Sequence, residues 1–181
     1  MRISNPIAFI LILTFSSCGK DETDQKERFI NDLISKMTSM EKIGQLNQYS
    51  SFFDVTGPKP TRMEDSIKYE QIKSGLVGSV LNVTGVRDVK AMQKLAIENS
   101  RLKIPLIFAL DVIHGYRTIS PIPLAESASW NLDLIEGSAA MAAKEAASAG
   151  LNWTFAPMVD ISRDARWGRV MEGAGEDPYL G

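Results

Sequence analysis

Apolar residues recur along this chain with two different periods, and the switches between them outline the fold. Over residues 24–37, Phe29, Ile30, Leu33, Ile34 and Met37 fall on one side of a 3.6-residue spiral, which predicts an amphipathic helix. Thr38 followed by Glu41 is a capping box, so a second helix starts there and is expected to turn Ile43 and Leu46 inward. The pattern is lost over residues 49–61, where Phe52, Phe53, Gly57, Pro58 and Pro60 predict a loop with an aromatic tip. Residues 62–73 predict another helix, closed by Gly75. Residues 77–83 are short, valine-rich and bounded by glycines, as a buried strand would be. Helical spacing returns over residues 86–102, with Val89, Met92 and Leu95 or Ala96 on one face. Pro105 breaks it, and residues 106–110 predict a second strand that ends at Asp111. After a long loop over residues 115–129, Asn131 caps an alanine-rich helix that runs to Ala149 and stops at Gly150. Residues 153–159 predict a third buried strand.

Strands alternating with helices favour a parallel α/β architecture. Three strands are too few for an eight-stranded barrel of about 250 residues, so the chain is expected to be the N-terminal piece of a longer protein. Its 181 residues, 44% hydrophobic and 23% charged, suit a globular domain. A formal net charge of −2 and the lack of any basic run argue against a nucleic-acid partner.

The chain start has a different character. Arg2 precedes an apolar run over residues 6–15, too short to span a bilayer, so residues 1–17 read as a signal peptide. Cys18 is the single cysteine, which rules out an intrachain disulfide, and it sits where the signal would be cut. LTFSSCG resembles a bacterial lipoprotein processing site, with Cys18 as the lipidated residue and residues 18–27 as a polar tether. Acyl chains there would hold the protein on a membrane that it does not cross, in the periplasm or at the cell surface. Lys20, Asp21, Glu22 and Asp24 follow, a weak likeness to surface-export signals.

Two polar clusters follow strands. LDVIHGYR, residues 110–117, puts Asp111 at a strand end, where a carboxylate can accept bonds from substrate hydroxyls or cap the next turn. His114, the single histidine, reads first as a packed structural donor and otherwise as a ligand contact. After residues 153–159 come Asp160, Arg163, Asp164, Arg166 and Arg169 around Trp167. An arginine held by neighbouring aspartates presents a fixed fork to hydroxyls, but the same spacing suits a salt-bridged surface loop equally well. One histidine and one cysteine argue against zinc. No phosphate-binding glycine loop and no G-x-S-x-G elbow is present, and no cofactor is expected.

MTSMEKIGQL, IPLIFALDVIHGYRTISPIPLA and NWTFAPMVDISRDARWGRVMEGAGEDPYLG, in this order and spacing, resemble the start of a glycoside hydrolase family 3 enzyme, most of all the family's bacterial β-glucosidases. The resemblance covers roughly residues 30–181, with 28–181 as the family portion. It implies a (β/α)8 TIM-type barrel, of which this chain is the first part, followed by an α/β sandwich and often a fibronectin-like domain. It implies hydrolysis with retention on a β-glucoside oligosaccharide, with the nucleophile and the acid/base both beyond Gly181, so that the fragment alone would be inactive. Carried over to this chain, Asp111 holds hydroxyls of the terminal glucose and Arg163 contacts the same sugar. His114, Arg169 and Glu176 play supporting parts. Ala165 stands where members commonly have Pro, and Ser120 where they have Phe; the first loosens a loop and the second removes an aromatic beside the pocket. Within the family, a β-xylosidase is the nearer alternative. A β-N-acetylhexosaminidase usually shows an acidic, glycine-rich motif in place of DVIHG. A non-catalytic sugar-binding lipoprotein is the alternative from another class.

Overall fold

The computed structural model describes residues 18–50 and 63–181. The elements are helix α1 (Cys18–Lys36), α2 (Ser39–Gly44), strand β1 (Gln48–Ser50), α3 (Met63–Lys73), β2 (Ser79–Leu81), α4 (Val86–Asn99), β3 (Ile107–Leu110), α5 (Pro123–Ser127), α6 (Leu132–Ser148) and β4 (Trp153–Thr154). The chain divides into two units between Met37 and Thr38. The first contains α1, which starts at Cys18, so the residues expected to form a tether are its opening turns. Straight-chain charged residues favour that continuation, and Lys36 pairs with Asp32 one turn back at 2.5 Å. Among the described residues no helix is long and apolar enough to cross a membrane. The expected signal segment and the aromatic tip at Phe52 and Phe53 lie outside the described residues.

The second unit opens with the capping box. The Glu41 amide donates to Thr38 Oγ1 at 3.2 Å, and the Thr38 amide donates to Glu41 Oε2 at 2.8 Å. The rotation of α2 differs from the expectation: Ile43 is 62% and Leu46 87% exposed, while Glu41 and Gly44 face inward. Backbone contact decides this. A Cβ at Gly44 would lie 2.5 Å from Leu76 Cα, so only the bare side of the helix can approach there. Glu41 meets Arg101 in a two-pronged bond, Nε to Oε1 at 3.1 Å and Nη2 to Oε2 at 2.6 Å.

The four strands among the described residues are parallel, in the order β1-β2-β3-β4. Each strand lies beside its predecessor with no reversal of direction, which is the winding of a barrel rather than of a doubly wound sheet. The sheet with its crossover helices is part of a TIM-type α/β fold. Val80 and Phe108 pair across β2 and β3 and are buried with Ile72 of α3, Met92 of α4, and Ala142 and Ala146 of α6. On α4 the buried positions are Val89, Met92 and Ala96, as their spacing predicts. Alternation puts Ile107, Ala109 and Trp153 on the opposite face. Ile107 and Trp153 are exposed there, on the side that a closed barrel turns inward.

Both α3 and α6 stop with the same device. Gly75 at φ +72° and Gly150 at φ +92° enter the left-handed region. The next amide then bonds back across the last turn, Leu76 to Gln71 at 2.9 Å and Leu151 to Ala146 at 3.1 Å. Three strands depart from the expectation. β1 has no apolar run to signal it, β2 spans three residues rather than seven, and β4 is two residues long rather than seven because Pro157 lacks the N–H a ladder needs.

A Cβ at Gly78 would lie 2.0 Å from the Gln45 carbonyl oxygen. Gly78→Ala should therefore cost about 1–3 kcal/mol of stability in urea unfolding. Gly137→Ala on α6, where the added methyl meets nothing, should raise stability by about 0.4–1 kcal/mol. Equal stability for the two variants would contradict this packing. Glu41 offers a second check. The Arg101 guanidinium, and then the Thr38 amide, hold its carboxyl down at about 2 from the usual 4.5. A depressed carboxylate stabilises the fold above its ordinary pKa and loses that contribution as pH falls toward 2. Arg101→Ala should flatten the pH dependence of stability between about pH 4.5 and pH 2; an unchanged slope in that window would show that the pair is not what holds Glu41.

Candidate substrate-binding site

The parallel register brings the C-terminal ends of β3 and β4 to one rim of the sheet. Asn152 locks that register in both directions: its amide donates to the Phe108 carbonyl at 3.1 Å, and its Oδ1 accepts from the Phe108 amide at 2.8 Å. Beyond Leu110, the Val112 amide reaches Thr154 Oγ1 at 3.4 Å. Asp111 stands between these anchors. It follows directly after the last residue of β3 and is exposed.

The chain after Asp111 closes into a small ring. Gly115 and Ile119 form an antiparallel bridge, and the Ser120 amide donates to the His114 carbonyl at 2.9 Å. Gly115 has φ +107°, and a Cβ there would lie 2.0 Å from the Thr118 carbonyl oxygen. His114 Nδ1 lies 3.2 Å from the Ser120 carbonyl oxygen. A carbonyl can only accept, so that nitrogen carries the proton. Glu145 of α6 then fastens the ring from outside. It accepts from the Arg117 amide at 2.8 Å, the Thr118 amide at 2.9 Å and Thr118 Oγ1 at 2.7 Å. The Thr118 amide and hydroxyl, with the Arg117 amide, draw its carboxyl below the ordinary range.

The loop after β4 carries its own pairs. Asp164 takes a bidentate bond from Arg166, with Nη2 to Oδ2 at 2.5 Å, and that bond lowers the acid and raises the base. Arg169 grips Glu172 in the same way, with Nη2 to Oε2 at 2.6 Å. The Arg169 pKa is raised first by Glu172, and further by the charges of Asp160 and Asp111. The aspartate-held arginine is Arg166. Arg163 is exposed and has no hydrogen bond or ion pair with a described residue; the same holds for Glu176. The Ser162 amide donates to the Gly175 carbonyl at 2.9 Å and folds the loop back on itself.

A cavity of about 590 Å³ lies along α6, lined by Ala139, Ala142, Ala143 and Ala146, by Trp153 and by His114. Asp111 and Arg163 are not among its lining residues. The described residues contain no cluster of His, Cys, Asp or Glu arranged to hold a metal ion.

The model of the glycosyl hydrolase family 3 N-terminal domain matches residues 38–181. The chain belongs to glycosyl hydrolase family 3. Among relatives in this family, a periplasmic beta-glucosidase of Salmonella typhimurium is 47% identical over 87% of this chain and 20% of its own length. A lysosomal beta glucosidase of Dictyostelium discoideum is 30% identical over 86% of this chain and 21% of its own. The crystal structure of a Listeria innocua beta-glucosidase in complex with glucose superimposes with a TM-score of 0.74 at 40% identity, covering 85% of this chain and 22% of that one. The chain thus spans about a fifth of the length of these relatives.

Two residues that shape this family 3 rim escaped the sequence reading. A signal for Glu145 was present: it shares a helix face with Ala142 and Ala149, both buried, and a carboxylate on a packed stripe must find donors. Asn152→Ala should cost about 1–3 kcal/mol in chemical unfolding, because it strands the Phe108 amide. Asn152→Asp keeps the acceptor and should retain most of that stability; the reverse ranking would contradict the assigned bond.

Proposed function

We propose that this chain is the sugar-binding part of a retaining, exo-acting β-glucosidase that removes terminal β-D-glucosyl residues from oligosaccharides. The observation that carries the reading is the 47% identity, across 87% of this chain, to the Salmonella typhimurium periplasmic beta-glucosidase. The Listeria innocua relative in complex with glucose supports glucose as the sugar, and its complex with laminaribiose supports an oligosaccharide substrate. Relatives named as β-xylosidases from Formosa agariphila are 28% identical, so xylose ranks second.

In this reading Asp111 accepts bonds from ring hydroxyls, and Arg163, free of internal partners among the described residues, donates to the same sugar. Arg169 and Glu172 brace the rim, and Glu176 belongs to the same loop. His114 supports the ring that follows Asp111. Glycoside cleavage passes through an oxocarbenium-like state, and charge-assisted bonds to hydroxyls that tighten there lower the barrier. No carboxylate of residues 18–181 is assigned as nucleophile or acid/base. The relative's periplasmic name supports export, and the LTFSSCG sequence supports a lipid on Cys18 as the anchor of a polypeptide built as signal 1–17, tether 18–27 and family portion 28–181.

In the complete reading frame, Asp111→Ala should lower kcat/KM on an aryl β-glucoside on the order of 100-fold, about 3 kcal/mol, as expected when a charged acceptor is lost from the transition state. Kinetics within twofold of wild type would remove Asp111 from the sugar site.

A further inference from the structure

We propose that Glu145 is a positioning residue for the saccharide site: by gripping the ring that follows β3, it sets where Asp111 stands. The inference rests on the reading of Asp111 as a hydroxyl acceptor given above. Asp111 has support on two sides. Behind it is β3, held in register by Phe108 and Asn152. In front of it is the ring of residues 114–120, closed on itself by the Gly115–Ile119 bridge and the two His114–Ser120 contacts. The link from the intervening segment to β4, Val112 to Thr154, is long at 3.4 Å. The ring is tied to α6 through Glu145, which takes three donors from two consecutive residues.

The chemistry suits a positioning part. One carboxylate bridging two successive backbone amides and a hydroxyl fixes both the position and the orientation of that backbone. A first contact to substrate must be held within about half an ångström to favour a transition state over a ground state. Glu145 does not line the cavity along α6, and its carboxylate faces the ring instead.

The test is a double-mutant cycle in the complete reading frame, using the aryl β-glycoside that the wild-type enzyme turns over fastest. Glu145→Gln turns an amide donor toward ring donors and should lower kcat about tenfold while KM changes less than about threefold. In an Asp111→Ala background the same substitution should lower kcat/KM less than about twofold, because its effect passes through Asp111. Thr118→Val removes one of the three donors; it should show the same dependence on Asp111 at about threefold, and it keeps the cycle open should Glu145→Gln fail to fold. An equal loss in both backgrounds would mark Glu145 as a stabiliser of the fold alone, and no loss in either would remove it from the site; both results overturn the proposal. Wild-type kinetics for Asp111→Ala by itself would instead overturn the sugar-site reading and this inference with it, so the silent variant tells the two failures apart.

Discussion

The exchange of two hydrogen bonds between Phe108 and Asn152 is the constraint on which the rest depends. A parallel pair slipped by one residue would turn every side chain on β4 to the other face. With the register held, Leu110 and Thr154 end their strands side by side, and the two polar loops that follow leave the sheet at a common rim. Phe108 serves twice in this arrangement. Its ring anchors the buried core under α3, α4 and α6, and its backbone aligns the strand that carries Asp111.

Charge is distributed over that rim in a definite way. Arg166 and Arg169 are each spent on a nearby carboxylate, Asp164 and Glu172, in bidentate contacts that fix the loop. Arg163 has no such partner among the described residues. The charge of Asp111 in turn contributes to raising the Arg169 pKa. A carboxyl acceptor one residue past β3 and a guanidinium uncommitted among the described residues, on the loop after β4, suit a molecule rich in hydroxyl groups. The apolar cavity along α6 lacks that character.

How much of this could be read from the sequence varied with the range of the interactions. Local signals were reliable: the Thr38–Glu41 box, the Asn131 cap with its Oδ1 3.1 Å from the Leu134 amide, the stop glycines Gly75 and Gly150, and the Val89–Met92–Ala96 stripe all depend on neighbours within a turn or two. The strand that ends in Asp111 was legible because buried parallel strands are apolar runs. Apart from the short β2 and β4 and the helical start of α1, the misses were long-range. β1 carries Gln48, Tyr49 and Ser50 and is a strand only because β2 lies beside it. Ile43 and Leu46 lie on the apolar side of α2, but the bare backbone at Gly44 decides which side approaches Leu76. Glu145 and Asn152 act on partners 27 and 44 residues away, and no local pattern encodes such a distance. The family motifs pointed to Asp111 and Arg163, whereas the hydrogen bonds that hold the first of these in place emerge only from the fold.

The most direct test of the account is a crystal structure of the protein from the complete reading frame with glucose bound. The sugar should lie at the C-terminal rim of β3 and β4, with an Asp111 carboxylate oxygen about 2.5–3.0 Å from a ring hydroxyl and the Phe108–Asn152 pair intact. Glucose seated in the cavity along α6, or an Asp111 carboxylate turned away from the sugar, would contradict it.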